Sequence, residues 1–407
     1  MNSIKLCLQF AFIGLLWVSC KNEPNQIETD IRQESWTDIE KKAEGSTVTF
    51  MMWQGSPVLN DYINNYLVPA LKEKYKISLK ISGGQGPEIV KLVMGEKQAN
   101  VKDGQVDMVW INGETFFQMR KIDGLWGPFV EKLPSSEYVN FDNKFISIDF
   151  QQPIEYMEAP WGMGQFALVY DSAQTATPPR NLDELESYVK ANPGSFTISN
   201  DFSGMTLLKC FMAELGGSPT SLDGPFDQSK YDKLSEELWD FINRIKPYFW
   251  KQGTNFPKEH SKMDQMFATG ELGLIYGFSE GGVESKVEQG LFPESTRAYV
   301  WDNGTVMNSN FLGIPYNSGN KAGAMVAINF MMSPEGQYNR QVISGRESRT
   351  ILDMELLPEE WRKKFENAPP RKYSPDPRVM AQKAIQEPAP EYMINLFEDF
   401  RTEVIDK

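Results

Sequence analysis

The chain has 407 residues. That exceeds what one hydrophobic core usually organises, so two lobes are expected. Hydrophobic residues make up 41% of the chain and charged residues 24%, which is typical of a folded globular protein and argues against a disordered or polytopic membrane chain. The formal net charge of −14 argues against a nucleic-acid-binding protein, because no excess of lysine and arginine is present to neutralise phosphates.

The N-terminal segment has the features of an export signal. A basic residue precedes the apolar run Leu6–Val18, which is too short to span a bilayer, and a small residue stands before Cys20. The segment resembles a lipoprotein signal peptide, so we expect residues 1–19 to be removed and Cys20 to be lipidated. This would anchor the exported protein to the membrane, at the periplasmic face or the cell surface. Trp17 departs from the motif, which prefers leucine there, and the alternative is plain secretion with Cys20 incidental.

The remaining cysteines agree with such an anchor. Cys7 would leave with the signal peptide, and lipidation of Cys20 would leave Cys210 alone, so no intramolecular disulfide is expected. Cys210 lies in an apolar helical pattern and is predicted to be a core residue. Residues 20–34 are polar and without periodicity, which predicts a tether.

The region after the tether alternates strand and helix signals. Strands are predicted at Val48–Trp53, Lys76–Ile81 and Val106–Ile111, with helices after Ser56-Pro57, Gly83–Pro87 and Asn112-Gly113. The last of these strands is a continuous apolar run, which is typical of a parallel strand covered on both faces. The alternation predicts an α/β fold built on a parallel sheet.

The second half of the chain repeats this alternation. Strands are predicted at Phe166–Tyr170, Phe196–Ser199 and Leu272–Tyr276, and helices after Asn181, after Asn200 and over Lys230–Tyr248. Two further strands, Arg297–Trp301 and Thr305–Ile314, are predicted to form a hairpin around the turn Asp302–Gly304. The C-terminal segment is predicted to be helical with proline-rich breaks.

One motif has the form of an enzyme signature. Gly277–Gly281 matches the G-x-S-x-G nucleophile elbow with Ser279 at its centre, between a strand and a helix. The chain has a single histidine, His260, and it precedes Ser279, so the order serine, acid, histidine of an α/β-hydrolase is not met. A glycine-rich ligand loop is therefore favoured, and a surface hydrolase using Ser279 is the alternative. We expect no catalytic residues, no metal and no cofactor, since no paired cysteines or H-E-x-x-H motif occur.

Candidate ligand-binding residues recur at the ends of the predicted strands. Ligands of open parallel α/β sheets bind beyond the carboxyl ends of strands, where helix N-termini offer free N–H groups. Flat aromatic faces there bind rings, cations or sugars, and polar neighbours fix their orientation. The predicted solute-binding residues are Trp53, Gly55, Ser56, Trp110, Asn112, Glu114, Trp161, Gln165, Asn200, Ser203, Tyr276, Ser279 and Trp301. The charge of the solute stays open, because Glu114 would suit a cation and the helix N-termini an anion.

Several stretches resemble one protein family. The segments concerned are Val48–Asn60, Val106–Glu114, Gly124–Phe129, Ala159–Gly162, Asn310–Asn317, Asn320–Ala324 and Ser333–Gln337. They are similar to YnjB-like extracellular solute-binding proteins, over a region from about Trp36 to Gln337. Residues Ile198–Gly204 lack the proline-rich form associated with the enteric members, so the solute of those members is not carried over.

The resemblance implies a two-lobed, periplasmic-binding-protein-like fold of type II, with a ligand cleft between the lobes and crossings near 159–165 and 301–308. The expected division is 35–160 for the first part of lobe 1, 161–295 for lobe 2, 296–335 for the return to lobe 1, and 336–407 for C-terminal helices that pack on the lobes. The implied function is the solute-binding component of an ABC importer, a monomer that delivers a small solute to a permease with a separate ATPase subunit. The alternative is a surface glycan- or metabolite-binding lipoprotein without transport.

Overall fold

A computed structural model describes residues 30–278, 282–343 and 348–407. Cys20 and Ser279 lie outside the described residues. The strands are β1 Thr47–Met52, β2 Ser78–Gly83, β3 Met108–Ile111, β4 Leu125–Trp126, β5 Ile148–Asp149, β6 Gln152–Pro153, β7 Glu158–Gln165, β8 Ala167–Asp171, β9 Leu274–Gly277, β10 Thr296–Tyr299, β11 Thr305–Pro315 and β12 Ala384–Gln386. The α-helices are α1 Trp36–Ala43, α2 Pro57–Tyr62, α3 Val68–Tyr75, α4 Gly86–Gln98, α5 Gly113–Lys121, α6 Lys144–Ser147, α7 Leu182–Ala191, α8 Phe202–Leu215, α9 Gln228–Ile245, α10 His260–Ala268, α11 Gly282–Glu288, α12 Lys321–Met332, α13 Pro334–Tyr338, α14 Glu359–Glu366, α15 Pro377–Ala381 and α16 Pro390–Asp399.

The larger sheet contains the strands predicted from the first third of the chain. Its central order is β2-β1-β3-β11-β7, with β1 parallel to both β2 and β3 and with β11 antiparallel to β3 and β7. The prediction of parallel pairing is therefore confirmed for β1, β2 and β3. The predicted start of α2 is confirmed as well: Leu59 N–H donates to Ser56 Oγ at 3.1 Å, and Pro57 occupies the first helical position.

The smaller sheet is antiparallel throughout, with the order β10-β8-β9. The strands predicted at 166–170 and 272–276 are confirmed as β8 and β9. The strand predicted at 196–199 is wrong. The N–H of Ser199 donates to the hydroxyl of Tyr276 at 2.7 Å, and the carbonyl of Phe196 accepts from Trp250 N–H at 2.8 Å, so side-chain and loop partners replace a strand ladder.

The hairpin predicted around Asp302–Gly304 is also wrong. The two strands exist, but β10 pairs with β8 while β11 pairs with β3, β7 and β12, so they belong to different sheets. The turn is held instead by contacts to distant segments: Asp302 N–H donates to Arg180 O at 2.9 Å, and Thr305 N–H donates to Lys383 O at 3.0 Å. The turn thus carries the chain from one sheet to the other.

Separate hydrophobic cores define the two lobes. The cores of lobe 1 collect residues from 39–163 and 307–357, around the larger sheet. The core of lobe 2 collects Phe150 and residues from 166–306 together with 380–404, where α16 packs on α8. The division at 160, 295 and 335 expected from the sequence stays a prediction. Within the described ranges, no helix is both long and apolar enough to cross a membrane.

The two strands that run between the lobes, β7 and β11, are each other's partners. Met307 lies opposite Gln165 at one end and Gly313 opposite Glu158 at the other. The register shifts between Asn310 and Phe311, because Gly162 faces the first and Pro160 the second. Trp161 is therefore the extra residue of a β-bulge, a feature that bends a strand and turns its side chains to a new direction.

Candidate functional site

Three tryptophans stand in series at the carboxyl edge of the larger sheet. Trp53, directly after β1, is 42% exposed, and its ring folds over Gly55, where a Cβ atom would overlap it. Its ring centroid lies 6.0 Å from that of Trp110, edge to face, and Trp110 lies 5.3 Å from the fully buried Trp161 in the same geometry. The indole N–H of Trp110 donates to Asn112 Oδ1 at 3.0 Å, so the amide of Asn112 is oriented by the series. We call these three residues the tryptophan series.

The bulge at Trp161 receives two donors that the sequence did not indicate. Its carbonyl accepts from Gln337 Nε2 at 2.9 Å and from the guanidinium of Arg340. The same guanidinium lies 3.9 Å from the centroid of the Trp161 ring, a cation–π contact, and against Gly162. A second arginine, Arg349, donates to Gln165 Oε1 at 2.9 Å. Two positive charges therefore line the crossing strand, and no strand end or motif in the sequence marked them.

Glu114 lies in the first turn of α5, beside the tryptophan series. Its carboxylate accepts from Gln118 Nε2 at 2.9 Å. Burial raises the pKa of Glu114, while the positive charge of Lys209 and the bond from Gln118 act in the opposite direction. Lys209 belongs to α8 of lobe 2, so Glu114 and Lys209 attract each other across the two lobes.

Lys209 is the centre of a buried charge cluster. Its side chain is fully buried and forms an ion pair with Glu387, whose other oxygen accepts from Asn308 Nδ2 at 3.0 Å. The ammonium lies 4.9 Å from the ring centroid of Phe150 and 5.5 Å from that of Phe202. A buried ammonium requires such partners, because the cost of removing it from water is large.

Two further carboxyl groups, Asp149 and Glu158, are buried nearby and interact with each other. Burial raises the pKa of both well above the ordinary range; the charge of Glu387 adds to the rise at Asp149, and the charge of Asp149 adds to the rise at Glu158. Like charges in contact disfavour each other, so the two carboxyl groups titrate as a coupled pair. Asp149 also accepts a hydrogen bond from the backbone N–H of Gly113 at the start of α5.

Comparison with known proteins identifies the family to which this chain belongs. The family described as bacterial extracellular solute-binding protein matches residues 66–365. The chain belongs to that family. Among curated relatives, protein YnjB of Escherichia coli strain K12 is 29% identical over 344 residues, which cover 84% of this chain and 88% of YnjB. This solute-binding protein is therefore an exported binding component of an ABC transporter, which captures a small solute and delivers it to a permease.

Solved structures with the same two-lobed fold include two with quite different named solutes. The spermidine/putrescine substrate-binding protein PotD of Streptococcus pneumoniae matches with a TM-score of 0.62 and 18% identity, covering 88% of this chain and 99% of PotD. AfuA of Actinobacillus pleuropneumoniae, solved with fructose-6-phosphate, matches with a TM-score of 0.62 and 14% identity, covering 88% of this chain and 98% of AfuA. At these identities the likeness establishes the fold alone, and family members of this kind are binding proteins.

The structure brings part of the predicted site of this solute-binding protein together. Trp53, Gly55 and Ser56 follow β1. Trp110 lies in β3, Asn112 and Glu114 follow it, and Trp161 lies on β7 beside them. In lobe 2, Asn200 and Ser203 are half-buried around the start of α8, and Asn200 N–H donates to Pro257 O at 2.7 Å.

Other predicted residues serve internal contacts. Tyr276 is fully buried with its hydroxyl on Ser199, and burial raises its pKa. Trp301 is fully buried, and its indole N–H donates to Glu214 inside lobe 2. Gln165 donates to Met380 O at 2.9 Å, which ties β7 to the C-terminal segment. These three residues present no surface to a solute in this conformation.

His260 lies next to the glycine-rich motif. Its ring rests against Gly277, and its Nε2 is 3.6 Å from Asp264 Oδ1, while Lys286 Nζ is 2.7 Å from Asp264 Oδ2. The acid that could orient the histidine is thus engaged by a lysine. In the part of the chain that the structure describes, no group of three or more His, Cys, Asp or Glu side chains could hold a metal ion. A separate cavity of about 400 Å³, lined by Gln174, Phe267 and Phe292 among others, includes none of the predicted site residues.

Proposed function

We propose that the solute binds at the edge of lobe 1 formed by Trp53, Trp110, Asn112 and Glu114, and that lobe 2 closes over it. The observation that carries this proposal is the tryptophan series. Trp53 leaves much of its ring in water, while Trp110 holds it edge-on from behind. A solute ring placed on that surface would remove it from water, which the hydrophobic effect favours.

The polar groups of the site favour a solute with a planar or ring-shaped part and polar groups at its edge. The amide of Asn112 is oriented by Trp110, and Glu114 follows two residues later in the first turn of α5. The arginines at the crossing strand, Arg340 and Arg349, supply positive charge beyond the series. PotD is named for spermidine and putrescine, which are cations, and AfuA was solved with fructose-6-phosphate, an anion, so the fold leaves the sign of the charge to these side chains.

The experiment is recovery of the solute by mass spectrometry from gently purified protein, followed by calorimetric titration of Trp53→Ala and of the control Trp250→Ala. Trp250 is a lobe 2 tryptophan whose indole donates to Glu271 at 2.7 Å. With an exposed fraction of 42%, Trp53 offers roughly 100 Å² to a solute, which is worth about 2.5 kcal/mol. We expect the affinity of Trp53→Ala to fall about 70-fold and that of the control to stay unchanged. Equal affinity in both variants would disprove the site.

Closure of the two lobes over the solute distinguishes a transport component from a surface protein that only captures its ligand. A small solute enclosed between the lobes compacts the protein by hinge motion, whereas a long glycan needs an open groove. Small-angle scattering with the recovered solute should therefore give a smaller radius of gyration. An unchanged radius at saturation would favour the glycan-binding lipoprotein.

We further propose that the protein is not an enzyme. The family consists of binding proteins, and the chain's one histidine lies in the arrangement with Asp264 and Lys286 described above. The parent should show no turnover across ester and amide substrates. Turnover that disappears in Ser279→Ala would establish the hydrolase alternative.

We propose that Cys20 carries the lipid anchor after removal of residues 1–19, and that the exported protein is a monomer. The folded chain is fastened to lobe 1 close to that point, because Arg32 donates to Gly127 O at 2.7 Å and lies over the ring of Trp126. Metabolic labelling with palmitate should be lost in Cys20→Ser and retained in Cys7→Ser. Labelling that survives in Cys20→Ser would contradict the anchor.

A further inference from the structure

The short hairpin β5–β6 has a strained tip. Its turn residues, Phe150 and Gln151, have φ values of 45° and 62°, both in the left-handed region. That region is disfavoured for residues with a Cβ atom, and hairpins of this type usually place Asn or Gly there. Such strain persists only where the surroundings over-determine the conformation, and it concentrates at functional positions.

The surroundings of the tip belong to the other lobe. The chain on both sides of the hairpin packs in lobe 1, through Ile146 and Ile154, but Phe150 is part of the lobe 2 core and is 1% exposed. Its ring centroid lies 6.5 Å from that of Phe202, and the ammonium of Lys209 lies over its face. The tip is therefore a lobe 1 element inserted into lobe 2.

Gln151 fixes the same insertion with two hydrogen bonds to lobe 2. Its Oε1 accepts from the N–H of Gly224 at 2.9 Å, and its Nε2 donates to the carbonyl of Glu387 at 2.9 Å. Both ends of the amide are thus satisfied by backbone groups, so the position of the tip is set in two directions. A parting of the lobes must break both bonds and withdraw the Phe150 ring.

The hairpin also supports the start of α5. The ring of Phe150 fills the space where a Cβ of Gly113 would lie, and Asp149 accepts from the N–H of Gly113. Gly113 stands between Asn112 and Glu114, two residues of the proposed solute site. The hairpin β5–β6 therefore contacts lobe 2 through Phe150 and Gln151, and it contacts the start of α5, next to the proposed solute site, through Asp149 and Phe150.

We propose that the tip Phe150-Gln151 is an interlobe latch, which raises the share of solute-free molecules whose lobes are closed and positions the N-terminus of α5 for the solute. The role assigned to α5 rests on the proposed solute site, whereas the latch itself rests on the contacts of the hairpin. Phe150 and Gln151 are positioning residues, because they act on the solute only through α5.

The test uses the full chain without solute, so that the latch is measured independently of the solute site. Amide hydrogen exchange is followed by mass spectrometry in Gln151→Ala, with Gln152→Ala, the neighbouring glutamine of β6, as the matched control. Loss of the bond to Gly224 should make the amides around residues 222–226 exchange about tenfold faster in Gln151→Ala and leave the control at the parental rate. Parental exchange in both variants would overturn the latch.

A second variant, Phe150→Ala, tests the two consequences for shape and for the site. Small-angle scattering should show a larger radius of gyration than that of the parent, and the amides at residues 113–115 should exchange faster. A parental radius would show that the tip does not hold the lobes, and parental exchange at 113–115 would show that it does not position α5. Trp53→Ala should match the parent in all of these measurements. If Trp53→Ala retains solute while Gln151→Ala loosens residues 222–226, the solute site is wrong and the latch stands.

Discussion

Replacing Lys209 by methionine tests the buried charge cluster. The side chains of Lys209 and Glu387 are 0% and 3% exposed, so the substitution leaves Glu387 as a buried carboxylate that keeps Asn308 as a donor but has lost its cation. Removing one member of a buried ion pair destabilises a protein by about 3–5 kcal/mol, because the other charge loses its compensation. The contacts of the ammonium with Phe150 and Phe202 are lost as well. We expect the free energy of unfolding to fall by about 4 kcal/mol.

Urea denaturation followed by circular dichroism measures this loss, with Lys190→Met as the control. Lys190 pairs with Glu186, but its side chain is 46% exposed, and a surface pair of this kind contributes about 0–1 kcal/mol. The double variant Lys209→Met with Glu387→Gln removes both charges and keeps a group that accepts from Asn308. It should recover most of the stability, since a buried pair can be replaced by neutral groups at little cost.

Two results would refute this reasoning. If Lys209→Met lowered stability no more than Lys190→Met, the Lys209 ammonium would have to be solvated in the native protein. If the double variant were as unstable as Lys209→Met alone, the loss would come from packing rather than from the uncompensated carboxylate of Glu387.

Glu158→Gln should raise stability at neutral pH and flatten its pH dependence. The raised pKa of the carboxyl pair means that the folded chain binds more protons than the unfolded chain. The free energy of unfolding therefore falls as pH rises from the ordinary carboxyl pKa to the raised value, by about 1.4 kcal/mol for each tenfold increase in proton affinity. Melting temperatures between about pH 4 and about pH 8 check this, and a parallel decline in parent and variant would contradict it. Gly113→Ala should lower the free energy of unfolding by about 1–3 kcal/mol, because its added Cβ overlaps the ring of Phe150. The control Gly95→Ala, with no atom within 4 Å of its added Cβ, should raise the free energy of unfolding by about 1 kcal/mol. Equal effects of the two substitutions in urea denaturation would refute the overlap. Trp301→Phe should lower stability by about 2 kcal/mol, since its indole loses a carboxylate acceptor, without changing solute affinity in calorimetry; a loss of affinity would return Trp301 to the solute site.

The parallel strands of the larger sheet could be predicted because the signals for them lie within short segments of the sequence. Parallel strands covered on both faces carry unbroken apolar runs, as at Val106–Ile111, and helix starts such as Ser56 show their capping residue directly. The same logic placed Trp53 and Trp110 at one edge. The segment 196–199 alternates apolar and polar residues as a strand would, but its backbone partners are a tyrosine hydroxyl and a loop, which no periodicity indicates.

The charge cluster and the latch could not be predicted in this way. Lys209 and Glu387 are 178 positions apart, and the tip at Phe150 acquires its meaning only when lobe 2 lies against it. A signal for Lys209 was present: it is the single charged residue within the apolar stretch Met205–Ala213 of a buried helix. A lysine in that position needs a carboxylate partner. The identity of that partner depends on how α8 and the C-terminal segment pack together in lobe 2.

The tryptophan series gives this protein an optical reporter of its own. With centroid separations of 6.0 and 5.3 Å, excitation passes readily among Trp53, Trp110 and Trp161, and the water-exposed Trp53 has the lowest-energy emission. The emission of the series is therefore governed by the ring that a solute would cover. Trp239, Trp250 and Trp301 in lobe 2 contribute a background that solute at the series leaves constant. Occupancy can thus be followed by the wavelength of intrinsic fluorescence, without any attached dye.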